Sequence, residues 1–271
     1  IAVSKTLYLG KYSIKETHAP YGMVLNDEVH IVELTYADQT VKLTETATSF
    51  FNDRQKIKVN LEKWLETNEE FDIGTNGEIK NISFGLFAEK EIVSASGTSI
   101  PADGLIEIIT LDEKGNGYVN TDLPFGSYYV KELSTDEHYI LSNKKYPVVF
   151  EYEGEMTSTV ELNVNNGEQI MNELIYGSVS GRKVDENGEP LGGAVIGLFK
   201  STDVEFTEEN AALTTVSAED GSFSFSDIPY GTWYIREIEQ PTGFVLNDTV
   251  YPVTVNADGD VVEIEIVNAF I

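Results

Sequence analysis

The stretch "YGTWYIREIEQPTGFVLND", Tyr230 to Asp248, decides the fold, because two others align with it without a gap. They are "LGKYSIKETHAPYGMVLND" (Leu9 to Asp27) and "FGSYYVKELSTDEHYILSN" (Phe125 to Asn143). All three read Gly-x-aromatic-x-aliphatic-basic-Glu, then a turn and a second short apolar run. A fixed pattern that recurs along a chain marks copies of one structural unit.

Each copy is followed by alternating residues that end in a short apolar run with an asparagine. These endings are "SFFND" with Asn52, "QIMNE" with Asn172 and "EIVNAF" with Asn268. Two copies also have matching material in front. "QKIKVNLEKWLE" (Gln55 to Glu66) and "YGSVSGRKVDE" (Tyr176 to Glu186) each place a lysine late in an extended stretch. "NISFGLFAEK" and "GAVIGLFKST" then share Gly-Leu-Phe. The first copy has no such front half. Residues 1–53 are therefore expected to be the back half of a cut domain, with 54–174 and 175–271 two complete domains.

The apolar runs are short and rich in Val, Ile, Tyr, Phe and Thr. Turn clusters such as "DEKGNG", "AEDGS" and "NADGD" separate them. This spacing predicts an all-β fold of tandem antiparallel sandwiches. "EKWLETNEEF" and "FTEENAAL" offer at most a helical turn each. "DENGE" and "NADGD" fall short of a full calcium-loop pattern and read as hairpin turns.

Side chains along a strand alternate between faces. Trp233, Ile235 and Glu237 then share one face, as do Tyr128, Val130 and Glu132, and Tyr12, Ile14 and Glu16. The basic residue points outward each time and the acid points inward with the aromatic. By the same parity Asn268 lies with Ile264, Ile266 and Phe270, Asn172 with Ile170 and Leu174, and Asn52 with Phe50. Lys63 is in register with Ile57, Val59 and Leu61, and Lys183 with Val179 and Gly181. Each complete domain thus sends one Lys, one Glu and one Asn into its core.

Burial disfavours the charged form of either group. A buried lysine tends towards a neutral, nucleophilic amine, and a buried glutamic acid can stay protonated and donate a hydrogen bond. A proton shared with the Asn carbonyl would make that carbon more electrophilic. Attack by the amine and loss of ammonia would then leave a Lys–Asn amide. The competing reading is a buried Lys–Glu ion pair with a hydrogen-bonded Asn, and periodicity alone does not separate the two.

The composition narrows the function. The 46 acidic and 18 basic residues give a formal charge of −28, which argues against nucleic acid or anionic lipid as a partner and suits a soluble, self-repelling surface. No apolar run is long enough for a membrane-spanning helix, and no membrane contact is expected. Ile1 is not an initiator methionine, so the sequence is expected to be a piece of a longer chain. There is no cysteine. The three histidines, His18, His30 and His138, form no metal-ligand spacing. No metal, no cofactor and no turnover catalysis are expected.

The third domain, "GRKVDENGEPLGGAVIGLF … GSFSFSDIPYGTWYIREIEQPTGFVLND … VEIEIVNAF", resembles the collagen-adhesin B-type (CnaB-type, SpaA-like) domains of Gram-positive surface proteins and pilins. The second domain resembles them more loosely, and residues 1–53 resemble the back half. The resemblance implies a prealbumin-like (transthyretin-like, reverse Ig-like) β-sandwich with an autocatalytic Lys–Asn isopeptide bond assisted by Glu. Carried over, one bond joins Lys183 to Asn268 with Glu237 catalytic, and another joins Lys63 to Asn172 with Glu132 catalytic. The latter closes a loop of 172 − 63 = 109 residues. Glu16 and Asn52 match an orphan half-site whose lysine would lie upstream. That half-domain is expected to be incomplete, disordered or completed by another chain.

The second domain departs from the pattern. It has Asp136 where Pro20 and Pro241 stand, and a longer insertion, Glu91 to Gly104. There is no LPxTG-type sorting signal and no Tyr-Pro-Lys pilin motif, so a pilus backbone subunit is not expected. The implied role is a monomeric stalk in a cell-wall adhesin or ancillary pilin, outside the cell and anchored by a signal beyond this sequence. The alternative is an adhesin module that binds host extracellular matrix or glycan through the Glu91–Gly104 or Ser201–Thr215 loop.

Overall fold

The computed structural model describes every residue except Lys42, Ser94, Ala95, Ser96 and Thr98. Its regular structure is almost entirely β. The first repeat folds as a single antiparallel hairpin, β1 (Gly10–Lys15) with β2 (Val29–Leu34).

The next unit is built from β3 (Lys56–Leu65), β4 (Ser83–Ala88), the short β5 (Ile92–Val93) and β6 (Ser99–Ile100), β7 (Leu105–Thr110), β8 (Asn116–Tyr118), β9 (Gly126–Ser134), β10 (Lys145–Phe150), β11 (Thr159–Asn163) and β12 (Ile170–Asn172). One sheet has the order β10-β9-β4-β7. In the other, β3 lies between β11 and β12 in the strand order and also pairs with β8. The last unit contains β13 (Tyr176–Asp185), β14 (Val195–Lys200), β15 (Leu213–Val216), β16 (Ser222–Pro229), β17 (Gly231–Glu239), β18 (Tyr251–Val255) and β19 (Val261–Asn268). Its sheets run β16-β13-β19 and β15-β14-β17-β18.

In both sandwiches the opening strand pairs in parallel with the closing one, β3 with β12 and β13 with β19. The cores lie between the sheets. Val59, Leu61, Phe84, Leu86, Val130 and Phe150 are buried in one, and Val179, Ile196, Leu198, Ile235, Val253 and Ile266 in the other.

Space dictates two features of the sequence. A Cβ on Gly85 or Gly197 would lie 2.6 Å from the ring of Phe87 or Phe199. The shared Gly-Leu-Phe thus folds its phenylalanine back across its own glycine. At Gly181 a Cβ would meet the Phe223 ring at 2.0 Å. Gly181 falls on the inward parity of β13 because an aromatic from β16 fills its slot.

The units exit in the same way. Gln55, Ile175 and Ile271 donate backbone N–H bonds to the carbonyls of Gly22, His138 and Gly243. Isolated bridges at Met23/Arg54, Tyr139/Leu174 and Phe244/Phe270 lie beside them. Among the described residues the hairpin unit holds no sandwich, and Ile14 on its inner face is 39% exposed. It leans on its neighbour through the Tyr21 ring, 4.8 Å from Tyr152, and through Glu155, which accepts the Ala19 N–H at 2.6 Å.

Beyond β3 the chain does not form the helical turn considered for "EKWLETNEEF". β3 runs on to Leu65, and the following segment packs against the last unit. Phe71 and Ile73 are buried there, the Phe71 ring meets Trp233 edge-on at 4.8 Å, and Asp72 pairs with Lys200 at 2.5 Å.

Four residues of the Glu91–Gly104 insertion, Ser94, Ala95, Ser96 and Thr98, lie outside the described residues. The Ser201–Thr215 loop is pinned to its sheet by Phe206, edge-on to Phe199 at 5.0 Å and beneath Arg236 at 5.1 Å.

Candidate functional site

In the last unit alternation carries Lys183 inward from β13, Asn268 inward from β19 and Glu237 across the core from β17. Their exposures are 0%, 0% and 1%. The ladder pairs Lys183 with Ile266 and Asp185 with Asn268. The lysine therefore stands diagonally, two residues short of the asparagine, on the same face of one sheet. Glu237 enters from the other sheet, next to a bulge between Val195 and Ile196 on β14.

Lys183 Nζ bonds to Asn268 Oδ1 and to the Ile266 carbonyl at 3.2 Å, and lies 3.6 Å from Glu237 Oε1. With Oδ1 held by the amine, Asn268 Nδ2 turns to the Glu237 carboxyl, at 3.0 and 2.9 Å. The lysine backbone is clasped as well, its N–H donating to Gly221 at 2.7 Å. Burial holds the Lys183 amine below its ordinary pKa, against the opposing pull of the Glu237 charge.

The middle unit repeats the arrangement. Lys63 pairs with Ile170 and Leu65 with Asn172, the same offset of two. Glu132 on β9 enters beside a bulge between Ser83 and Phe84. Lys63, Glu132 and Asn172 are 1%, 1% and 2% exposed. Lys63 Nζ lies 3.7 Å from Glu132 and bonds to the Ile170 carbonyl at 3.2 Å. Asn172 Nδ2 donates to Glu132 at 2.9 and 3.0 Å and to Thr135 Oγ1 at 2.9 Å. Unlike Asn268, Asn172 leaves its Oδ1 buried without a hydrogen-bond partner. Burial, opposed by Glu132, pushes the Lys63 amine down to about 8.

The first repeat brings Glu16 and Asn52 together, and among the described residues no lysine bonds to either. Asn52 Nδ2 donates to Glu16 at 2.6 Å and to the Val24 carbonyl at 2.9 Å, and both residues are half-buried. The sequence suggests a Glu proton shared with the Asn carbonyl. In all three repeats the carboxyl instead faces the Asn nitrogen.

One partner was invisible to side-chain parity. In every repeat the carboxyl Oε2, which also accepts from the Asn amide, accepts a backbone N–H from ten residues on: Asn26 at 2.8 Å, Ser142 at 2.8 Å and Asn247 at 2.7 Å. A backbone donor leaves no residue-type signal. Only the constant spacing to the second apolar run of each repeat hints at it. Among the described residues no cluster of metal-ligating side chains is present, and no helix is long and apolar enough to cross a membrane.

A comparison with curated proteins finds no match. Among solved structures, the chain superposes on the TIE protein of Bacillus anthracis with a TM-score of 0.68 at 21% identity. That alignment covers 97% of this chain and 42% of the other, so the chain spans less than half the length of that one. A C-terminal fragment of the pilus adhesin SpaC from Lactobacillus rhamnosus GG matches with a TM-score of 0.50 at 14% identity, over 80% of this chain and 98% of the fragment. The family model for the SpaA prealbumin-like fold domain matches twice, over residues 67–166 and 177–269. Those two spans take in more than half of the chain, which therefore belongs to the family of SpaA prealbumin-like fold domains.

Proposed function

We propose that the chain is a load-bearing stalk segment of a Gram-positive surface adhesin or ancillary pilin, built from a half-domain (1–53) and two complete domains (54–174 and 175–271). Each complete domain closes itself with one Lys–Asn isopeptide bond. The observation that supports this best is the shared geometry of two sites. In each, a buried Lys stands two residues short of a buried Asn on adjacent parallel strands, with a buried Glu entering from the opposite sheet.

The chemistry balances within each triad. The lysine ammonium gives a proton to the Glu carboxylate, and the neutral amine attacks Cγ of the asparagine. Oδ1 carries the negative charge of the tetrahedral intermediate. The Glu proton passes to Nδ2, which the carboxyl already faces, and the C–N bond to that nitrogen breaks. The surplus proton on the new amide passes to Glu, which is left neutral, and the nitrogen leaves as ammonia. The step occurs once per domain and needs no cofactor. It also replaces a buried ion pair, whose desolvation is costly, with a neutral amide.

The placement suits mechanical load. Asn268 ends β19, and Lys183 lies near the end of β13. Tension along the chain would pass down β13 to Lys183, across the bond and out after Asn268. The intervening residues would carry none of it. The middle unit offers the same route from Lys63 to Asn172.

The test is peptide mapping of the purified chain. A branched peptide joining Lys183 to Asn268, and a second joining Lys63 to Asn172, are expected. Recovery of only linear peptides leaves the buried ion pair as the correct reading.

A further inference from the structure

We infer that Asn247 is a positioning residue for the Lys183–Asn268 bond, and that Ser142 at the equivalent place leaves the middle site less well held. The inference rests on the cross-linking reading above and deepens it. It starts from a difference between repeats that otherwise match.

Asn247 touches both halves of the site. Its backbone N–H donates to Glu237 Oε2 at 2.7 Å, and its side-chain Nδ2 donates at 2.8 Å to the carbonyl of Val267, the residue before the acceptor Asn268. The same Nδ2 reaches Tyr251 Oη at 3.0 Å, and Oδ1 accepts the Thr249 N–H at 2.9 Å. The side chain is thus fixed at both ends. It ties the segment that holds the Glu to the strand that carries the Asn.

The first repeat makes the same clasp. Asn26 donates its backbone N–H to Glu16 at 2.8 Å and its Nδ2 to the carbonyl of Phe51, which precedes Asn52, at 2.8 Å. A two-point link at the same place in two repeats is a built feature. It persists in the repeat where, among the described residues, no lysine bonds to the Glu.

In the middle repeat Ser142 keeps the backbone bond to Glu132 at 2.8 Å, but its hydroxyl turns to the Lys144 N–H at 3.3 Å. Nothing joins it to the carbonyl of Met171, which precedes Asn172. The two sites differ in the way this predicts. Where the clasp is present, the Lys183 amine sits on Asn268 Oδ1. Where it is absent, Asn172 Oδ1 has no partner and its nitrogen is shared with Thr135. Rate depends steeply on holding the attacked group in place.

The test follows both bonds through time in the full chain. The chain and its Asn247→Ser and Ser142→Asn variants are made by cell-free synthesis, sampled at intervals and digested, and the two branched peptides are quantified. Far-UV circular dichroism reports the folded fraction in the same samples. Losing one orienting hydrogen bond is expected to slow the Lys183–Asn268 bond about tenfold in Asn247→Ser, with the Lys63–Asn172 bond unchanged. Ser142→Asn is expected to speed the Lys63–Asn172 bond.

An unchanged rate in a folded Asn247→Ser chain overturns the inference. If that variant does not fold, Ser142→Asn decides alone: a faster bond upholds the inference and an unchanged one overturns it. A wild-type chain that yields no branched peptide removes the cross-linking reading and this inference together. A wild-type chain with both bonds and variants that match it removes this inference only.

Discussion

Lys183 and Asn268 face the same core from adjacent parallel strands, offset by two residues in the ladder, and the lysine amine bonds to the asparagine Oδ1. A diagonal offset on one face is within reach of a long side chain, and lysine is long enough to bridge it. The core supplies the rest. It denies the amine water and supplies one carboxyl that contacts both the amine and the amide nitrogen.

Removing the proposed nucleophile separates the contribution of the proposed bond from that of the fold. Lys183→Met keeps the volume apolar and leaves a loop of 85 residues open. By analogy with disulfides, losing such a link lowers stability by about 4–5 kcal/mol. Chemical denaturation against the wild-type chain checks this. A difference below about 1 kcal/mol would mean that no covalent link is lost.

Glu237→Ala tests the proton shuttle. The Lys183–Asn268 branched peptide is expected to disappear while the Lys63–Asn172 peptide persists, because the two triads lie in separate cores. A branched peptide at Lys183 in this variant would show that the carboxyl is dispensable.

The lysine pKa gives a stability signature wherever the bond cannot form. In Asn172→Ala the Lys63 amine stays free and buried. Burial lowers its folded pKa to about 8 from an ordinary 10.5, so the unfolded state binds more protons between those values. Stability therefore rises with pH across the window from about 8 to 10.5, and the penalty for burying the charge is fully present below it. Urea titrations of Asn172→Ala, compared with Lys63→Met/Asn172→Ala, should show a gap that changes across this window in favour of the lysine. A constant gap would mean that the amine's pKa is the same folded and unfolded.

Two packing changes probe the frame around the sites. Gly181→Ala would drive a methyl into the Phe223 ring, where a Cβ has 2.0 Å, at a cost of about 1–3 kcal/mol. Phe71→Ala would open the contact with Trp233 and lower stability by about 3 kcal/mol. Although Phe71 precedes β4 in the chain, its loss is felt in the last unit. Trp233 is 7% exposed and Trp64 is already 48% exposed, so a red shift in tryptophan emission reports that opening. Unchanged emission with unchanged stability would show that the segment is not docked in solution.

Much of the site was legible because a strand has a period of two. That period alone put Glu237 with Trp233 and Ile235, and Lys63 with Val59 and Leu61, and all of these residues are at least half-buried. The gapless repeat identified the unit and the resemblance identified the family. What sequence could not supply was through-space information. Parity could not show that Phe223 fills the place above Gly181, since the two are far apart in the chain. The docking of Phe71 on a different sandwich had no local signal either, because apolar residues in a turn-rich segment read as ordinary loop. The backbone caps on the carboxyls, and the Asn247 clasp with them, depend on main-chain groups that every residue carries. The orientation of the Asn amide is set by which group holds Oδ1, and only the assembled triad shows that.

Intact mass of the purified wild-type chain is the most direct test of the two proposed bonds. Each Lys–Asn bond releases one ammonia, so the expected mass is that of the sequence less two ammonia molecules. A chain at its full sequence mass contradicts cross-linking in both domains.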